Sequence, residues 1–375
     1  MKPVWDVVIV GAGPAGVAAG LGVRAAAPEL TVVMLDRSDF PRDKTCGDGI
    51  APHVLDLLGE VGVTGLLDDW TPVRRLALER GPHVVDRAMT RPNWVVPREV
   101  FDHRLVLAAQ AAGVQLVRHR VRGLSVYRDV VRIDDQLAAK IVIGADGAAS
   151  VVRRAGGGGR GPVALALRGY APTPPERAGR QAIVYGPGTQ PSYAWSFDRG
   201  DGLCNVGYGE ALTARRPHPT RAELLGKLEH LLPGATAGGA QWRAHHLPLS
   251  SWSWRPPDGR VLLAGDAAGL INPMTGEGIY YAVATGLLAG RAAAGAIRTG
   301  DEGGAGTAYR ASTRVALGRH LWHTALAARL SGSPLVLDRG IRAAAADQRI
   351  FDDLVELGLA DGTITGRVLR SLVRR

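Results

Sequence analysis

The residues best placed for chemistry near the start of the chain are glycines. Gly11-Ala12-Gly13-Pro14-Ala15-Gly16 follows the apolar run Trp5–Val10 and precedes a small-residue stretch, Val17 to Ala27. Gly11 permits a tight turn, Gly13 lets the backbone approach a pyrophosphate, and Gly16 lets a helix pack on a strand, so that the helix N-terminus faces an anion. A second apolar run, Thr31–Leu35, ends in Asp36, at the spacing of about 20 residues that suits an acid binding a ribose diol. The same carboxylate would repel a 2′-phosphate, which selects FAD or NAD over NADP. Two more carboxylates stand at strand ends, where open α/β sheets bind ligands. They are Asp146 in Gly144-Ala145-Asp146-Gly147, and Asp266 in Gly265-Asp266-Ala267-Ala268, with Pro273 and Gly276-Glu277-Gly278-Ile279 beyond it.

With these segments the chain resembles the flavoprotein hydroxylase superfamily, whose members carry both carboxylate motifs as fingerprints. The resemblance implies FAD as cofactor, Asp266 on a hydroxyl of the ribityl chain, and a helix N-terminus after Gly276, Gly278 and Ile279 aimed at the pyrimidine end of the isoalloxazine. Such a terminus stabilises the negative charge of a reduced flavin. A narrower resemblance, to the geranylgeranyl reductase family, rests on Asp39-Phe40-Pro41-Arg42-Asp43-Lys44-Thr45-Cys46-Gly47-Asp48-Gly49, on Tyr193-Ala194-Trp195-Ser196-Phe197-Asp198, on Pro273–Ile279 and on Asp352–Gly358. It covers most of the chain, with one departure: Asp198 stands where the family has proline.

This resemblance implies that Cys46 lies near the flavin and affects its reduction, and that Arg98 reaches the cofactor, where a guanidinium fork suits phosphate. Pro14, Ala15, Arg37, Lys44, Gly47 and Val121 complete the expected cofactor set, with Arg42 beside them. Tyr193 and Trp195 are two residues apart, so they share a strand face and would line the cavity over the flavin; with Cys46 they are the expected catalytic residues. Each has a structural alternative. Cys46 suits a small buried site beside glycines, Tyr193 and Trp195 suit core packing, Arg98 suits a solvated helix face, and Asp146 suits the cap of a local turn.

The activity implied is reduction of carbon–carbon double bonds in a small hydrophobic substrate, isoprenoid or carrier-bound, with hydride from reduced FAD and a proton from Cys46, Tyr193 or water. No second glycine fingerprint is present for NADPH, so NAD(P)H or a reduced electron-transfer protein is expected to visit transiently. The main alternative is a flavin monooxygenase, hydroxylase or halogenase-like, acting on a small aromatic or carrier-bound metabolite of secondary metabolism; Asp198 favours it by altering the substrate wall. A further alternative is a non-redox carrier of prenylated ligands. His245-His246 has no third ligand at metal spacing, so no metal site is expected. There is no G-x-S-x-G elbow and no Walker lysine.

These residues need a large scaffold, and 375 residues suffice for about two domains. The chain is 46% apolar and 21% charged, the balance of a packed globular protein. Its 50 glycines are close to twice the usual share of about 7%. A net charge of +10 invites a nucleic-acid reading. However, Lys2, Lys44, Lys140 and Lys227 are the only lysines, and the arginines are scattered without a basic block. Arg370 with Arg374-Arg375 forms a basic end suited to peripheral contact with an anionic membrane. Cys46 and Cys204 are the only cysteines, which suits a reducing compartment. Secretory and transmembrane patterns are missing, so a cytoplasmic location is expected.

The elements read as strand, turn, helix and strand through Asp36, a loop, then a helix over His53–Glu60. Short alternating stretches occupy 70–97, a helix spans Arg98–Ala112, and a meander covers Val114–Val117, Gly123–Tyr127 and Val130–Ile133. A buried strand, Lys140–Gly144, follows. Gly156–Gly159 reads as a linker, since such glycine density is costly inside an element. Strands then dominate (Val163–Tyr170, Gln181–Tyr185, Tyr193–Phe197, Leu203–Gly207), with one helix near Arg221–Leu232, and Trp252 and Trp254 are expected at a domain interface. Val261–Ala264 is a buried strand, a long Ala-rich helix starts near Gly276, and Leu321–Arg375 is mostly helical. The expected fold is α/β: an FAD-binding Rossmann-like domain of glutathione-reductase type (1–70, 98–160, 258–330), an inserted sheet-rich substrate domain (71–97, 161–257) and C-terminal helices (331–375).

Overall fold

A computed structural model describes residues 4–373 except 160, 188–189, 214–216 and 252–255; Trp252, Trp254, Arg374 and Arg375 lie outside the described residues. β1 (Val4–Val10), α1 (Pro14–Ala26) and β2 (Val32–Asp36) form the expected opening unit. β3 (Gly49–Ile50), α2 (Pro52–Gly59), β4 (Val73–Arg80) and β5 (His83–Val95) follow. Then come α3 (Arg98–Ala111), β6 (Gln115–Arg118), β7 (Leu124–Val126), β8 (Val131–Ile133), β9 (Leu137–Gly144) and α4 (Val151–Ala155). The middle of the chain supplies β10 (Val163–Pro172), β11 (Arg180–Tyr185), β12 (Ser192–Asp198), β13 (Leu203–Ala211), α5 (Arg221–Leu231) and β14 (Ala240–Pro248). β15 (Val261–Leu263) precedes the helices α6 (Ile279–Thr299), α7 (Ala305–Ser331), α8 (Pro334–Ala346), α9 (Gln348–Leu359) and α10 (Gly366–Val373).

Two sheets result. The first runs β6-β2-β1-β9-β8-β7, with β15 also paired to β9. Its centre is parallel, β1 lying between β2 and β9. Val7 and Ile9 join the core built with α1, α3 and α6, while Val8 and Val10 join a second core with Val33, Leu35, Val142 and Val152. A parallel strand covered on both faces reads as an unbroken apolar run, which is why Val7–Val10 shows no alternation. The second sheet runs β14-β10-β13-β12-β11-β4-β5-β3. The short alternating stretches of 70–97 are here one long hairpin: β5 spans 13 residues and pairs antiparallel with β4.

Gly156–Gly159 is not a free linker. Gly156 caps α4, Gly157 takes φ +72°, and the Gly158 N–H bonds back to the Arg153 carbonyl, so the run closes a helix at a backbone angle glycine tolerates best. The C-terminal helices are not a separate bundle either. Ile341, Ala344 and Phe351 pack with Leu76, Val85 and Met89 of β4 and β5, so they cover the second sheet. Among the described residues no helix is long and apolar enough to cross a membrane.

The decisive packing is α1 against α6. A Cβ added to Gly286 would sit 2.3 Å from the Ala15 carbonyl oxygen, one on Gly290 2.2 Å from that of Ala19, and one on Gly22 2.7 Å from that of Leu287. Backbones this close leave no room for a side chain, so part of the glycine excess serves helix packing and not the ligand. Gly290→Val is therefore expected to cost about 2–3 kcal/mol by overpacking, measured by urea unfolding; wild-type stability would mean that the two helices separate freely.

Candidate active site

The β1–α1 turn is held by backbone bonds from Gly11 N–H to the Leu35 carbonyl and from Ala145 N–H to the Val10 carbonyl, both 2.7 Å. Gly11 has φ +103°, and a Cβ there would lie 2.3 Å from the Ala145 oxygen. A Cβ on Gly16 would lie 1.8 Å from the Gly11 oxygen. Gly13 is different: its φ of −76° suits any residue, and a Cβ would meet only the Arg42 guanidinium, at 3.5 Å. Among the described residues nothing requires glycine there, and the open space can admit a ligand. No side chain caps the N-terminus of α1 and its first turn carries no acid, which leaves its amides free for an anion. This cradle fits the pyrophosphate of FAD.

Asp36, buried at the end of β2, accepts from the Ala12 and Ser38 N–H groups at 2.9 Å each. Arg42 lies 3.2 Å from Asp102 and 3.9 Å from Asp36. Arg37 is exposed and Val121 is buried, both lining one cavity of about 700 Å³. That cavity runs past Gly13, Cys46, Asp266 and Gly276 to the C-terminal helices.

Several expected ligand contacts are occupied from within the protein. Asp146 spends one oxygen on the Ser150 hydroxyl (2.5 Å) and the other on the Val151 and Val152 N–H groups. Its carboxylate therefore caps α4, although the residue lines the cavity. Arg98 is neither solvated nor a free phosphate fork: it is buried and gives Nε and Nη2 to Asp102 at 2.6 and 2.8 Å. Its charge also faces Cys46. Lys44 pairs with Asp266 at 2.9 Å, and burial of Asp266 is outweighed by that ammonium, which lowers its pKa. The first amides of α6, at Ile279 and Tyr280, donate to Glu277 Oε1 at 2.6 and 2.9 Å. The helix terminus expected to face the flavin is thus shared with a carboxyl group, which burial pushes up to about 7.

One wall of the cavity is aromatic. Tyr185, Tyr193, Trp195 and Phe197 form a file with successive ring centroids 5.9, 6.0 and 6.4 Å apart, and all four line the cavity. The Tyr193 hydroxyl donates to the Thr275 carbonyl, tying this wall to the turn before α6. Asp198 does not belong to the wall. It is buried and accepts from Thr173 Oγ1 (3.1 Å) and the N–H groups of Gly179 (2.6 Å) and Gly200 (3.1 Å), so the departure from proline does not reshape the cavity.

Asn205, Tyr170 and Asp48, which have no role in the motif reading, back this wall, and a fourth such residue, His245, lines the cavity. Asn205 donates to the Cys46 carbonyl (2.9 Å) and to Asp48 Oδ2 (2.8 Å), and accepts from the Trp195 indole (2.8 Å). Tyr170 also donates to Asp48 Oδ2, at 2.5 Å. Asp48 is fully buried, and burial raises its pKa to about 6. His245 faces the cavity as neutral imidazole, held down to about 4 by burial and Lys44, and among the described residues its buried Nε2 has no partner. Only the Asp48-Gly49 pair within its loop motif gave any local signal; Asn205 and Tyr170 lie in strands that read as ordinary.

Comparisons with known proteins agree with this geometry. The family model described as FAD binding domain matches residues 4–317. A menaquinone reductase of Mycolicibacterium smegmatis is 33% identical over 320 residues, covering 76% of this chain and 75% of the relative. A digeranylgeranylglycerophospholipid reductase of Methanothrix thermoacetophila is 30% identical over 347 residues, covering 84% of each. Among solved structures, a geranylgeranyl bacteriochlorophyll reductase-like protein of Thermoplasma acidophilum superposes with a TM-score of 0.79 at 21% identity, over 99% of this chain and 96% of that one.

Gly13→Ala is expected to leave unfolding stability within about 0.5 kcal/mol while weakening FAD binding about tenfold or more, a loss of about 1.4 kcal/mol; equal affinity by fluorescence titration would remove Gly13 from the cradle. Glu277 and Asp48 keep protons that the unfolded chain releases, so the folded state binds more of them between their ordinary and raised values. The contribution of these two carboxyl groups to the stability of the cofactor-free protein therefore slopes downward as pH rises from about 4 to about 7, opposed by His245, whose lowered value gives a contribution of the other sign. Glu277→Gln should flatten the upper part of that slope in urea unfolding between pH 5 and pH 8 (roughly the range bracketing both groups), and an unchanged slope would contradict the assignment.

Proposed function

This chain belongs to the FAD binding domain family and is an FAD-dependent oxidoreductase, and from that premise we propose that it reduces carbon–carbon double bonds of an isoprenoid chain on a hydrophobic substrate. The observation that carries this reading is the cavity. From the glycine cradle it passes Cys46 and the aromatic file, then opens among Leu76, Ile183, Leu337, Ile341, Leu354 and Val355. Ligand sites commonly measure about 300–1,000 Å³, and this one has about 700 Å³ with a largely aliphatic far end, a lining suited to a prenyl chain. The relatives support the reading by name: two are named reductases and the third reductase-like, and two names carry the geranylgeranyl group.

The cradle of Gly11, Gly13 and Gly16 would hold the cofactor's pyrophosphate, Asp36 its ribose, and Asp266 with Lys44 its ribityl chain. The chemistry expected of the bound cofactor is delivery of a hydride to one alkene carbon. The other carbon then needs a proton, and the Cys46 thiol is placed to give it. Burial raises its pKa, so it stays protonated at neutral pH, while the Arg98 guanidinium steadies the thiolate left behind. Water then returns the proton to sulfur. Tyr193 is the weaker donor, because its hydroxyl is spent on Thr275 and burial pushes its pKa up; its part is to shape the wall. NAD(P)H or a reduced electron-transfer protein would supply the electrons between turnovers, and a cytoplasmic location suits the two free cysteines.

The test is anaerobic. FAD-loaded protein is reduced with dithionite and mixed with a geranylgeranyl-bearing lipid or quinone. Return of the oxidised flavin spectrum, with a product that has gained two hydrogens per double bond, about 2 Da by mass, is the expected result. A product that forms only with oxygen and gains an oxygen atom would overturn the proposal in favour of a monooxygenase. Cys46→Ala should retain FAD and slow the alkene-driven step about a hundredfold or more, the usual worth of a general acid.

A further inference from the structure

Asp48 is the one fully buried carboxylate beside the active site whose role remains unassigned. It occupies the left-handed region at φ +60°, in the turn between Cys46 and β3, and its carbonyl accepts from the Val96 N–H at 2.9 Å. Oδ2 takes two hydrogen bonds, from Tyr170 and from Asn205, and among the described residues the buried Oδ1 has none. The surrounding groups are few. From β10 come Tyr170 and Arg168, the latter fully buried, stacked 4.5 Å over the Tyr170 ring and paired with Asp43. From β13 comes Asn205, and from α3 the Arg98–Asp102 pair; across the cavity stands Glu277. Burial is the main force against a thiolate at Cys46; Arg98 favours one, and the charges of Asp48 and Glu277 add to the opposition. A buried neighbour at low dielectric interacts strongly enough to decide the protonation state.

We propose that Asp48 is a positioning residue for Cys46: it staples the Cys46-Gly47-Asp48 turn to the second sheet, and its carboxylate, two residues from the cavity-facing sulfur, adds to burial in disfavouring a thiolate there. The staple is geometric. One amide group, on Asn205, holds both the Cys46 carbonyl and Asp48, and its oxygen receives the Trp195 indole, so thiol and aromatic wall share one anchor. The charge is the part specific to Asp48. Above the pH where it ionises, it offsets Arg98 and leaves Cys46 able to give a proton. The inference rests on the reading of Cys46 as proton donor, yet its test needs no substrate.

The experiment measures iodoacetamide alkylation of Cys46 in FAD-loaded protein against pH, read by peptide mass so that buried Cys204 does not interfere. Asp48→Asn is the informative variant, because asparagine tolerates a left-handed backbone, keeps an acceptor for Tyr170 and removes only the charge. Its alkylation at neutral pH should rise about tenfold, the thiolate gained when a pKa drops by one unit, with the whole profile moved to lower pH. An unmoved profile, or slower alkylation, in a variant of wild-type FAD content and melting temperature overturns the proposal. Should Asp48→Asn fail to fold, Tyr170→Phe decides the matter. Loss of that donor makes Asp48 ionise at higher pH, so Cys46 should react faster than wild type between pH 6 and pH 7 (about one unit above the Asp48 transition), and a profile identical to wild type would refute the coupling. Failure of alkene reduction with a shifted alkylation profile would count against the proposed function alone.

Discussion

The molecule depends on backbone meeting backbone where α1 crosses α6. Gly286 and Gly290 bring α6 against the carbonyls of Ala15 and Ala19, and Gly22 returns the contact from α1. Because of this contact the start of α1 and the turn before α6 lie at the same end of the first sheet, although more than half the chain separates them. Gly265 completes the join, its missing side chain lying 3.0 Å from Ala15. A single methylene at these points would push apart the two walls of the cofactor cradle. Protein interiors are too densely packed to absorb such a shift.

Around that cradle the ionised groups are arranged in pairs. Arg98 with Asp102 and Lys44 with Asp266 are ion pairs at 2.6 and 2.9 Å. Partners missing from such a site would leave an uncompensated buried charge, the costly situation. Among the described residues Asp48 and Glu277 have no cationic partner in direct contact, and they relieve burial by holding a proton to higher pH. The active site therefore combines fixed charges that orient with titratable ones that respond to pH. Its neighbour, the aliphatic end of the cavity, offers a low-dielectric lining that strengthens both effects.

The second sheet and the C-terminal helices supply that apolar end jointly. Asn272 donates to the carbonyls of Leu357 and Gly358 at 3.1 and 3.3 Å, and the Thr275 hydroxyl to Gly358 at 2.7 Å. The turn facing the cofactor is thereby tied to the end of α9, while Tyr193 holds its other side. Helices that come last in the chain thus form part of the cavity wall, and they pack on β4 and β5.

Fold type and cofactor chemistry were legible in the sequence because they are written locally. A glycine turn, the acid at the end of β2 and two strand-end carboxylates sit within short segments, and each needs only its own backbone geometry to be recognised. The file Tyr193-Trp195-Phe197 was legible for the same reason, since strand period alone puts the rings on one face. The partners of the charged groups were decided only by the tertiary structure. Lys44 meets Asp266 and Asn205 meets Asp48 across separations of 222 and 157 residues, and no spacing rule reaches that far. Nor could the sequence distinguish a carboxylate aimed at a ligand from one turned back on its own helix. Asp146 and Glu277 both lie at helix starts, where unpaired amides compete with any ligand for an acceptor, and only the packed backbone decides which of the two prevails.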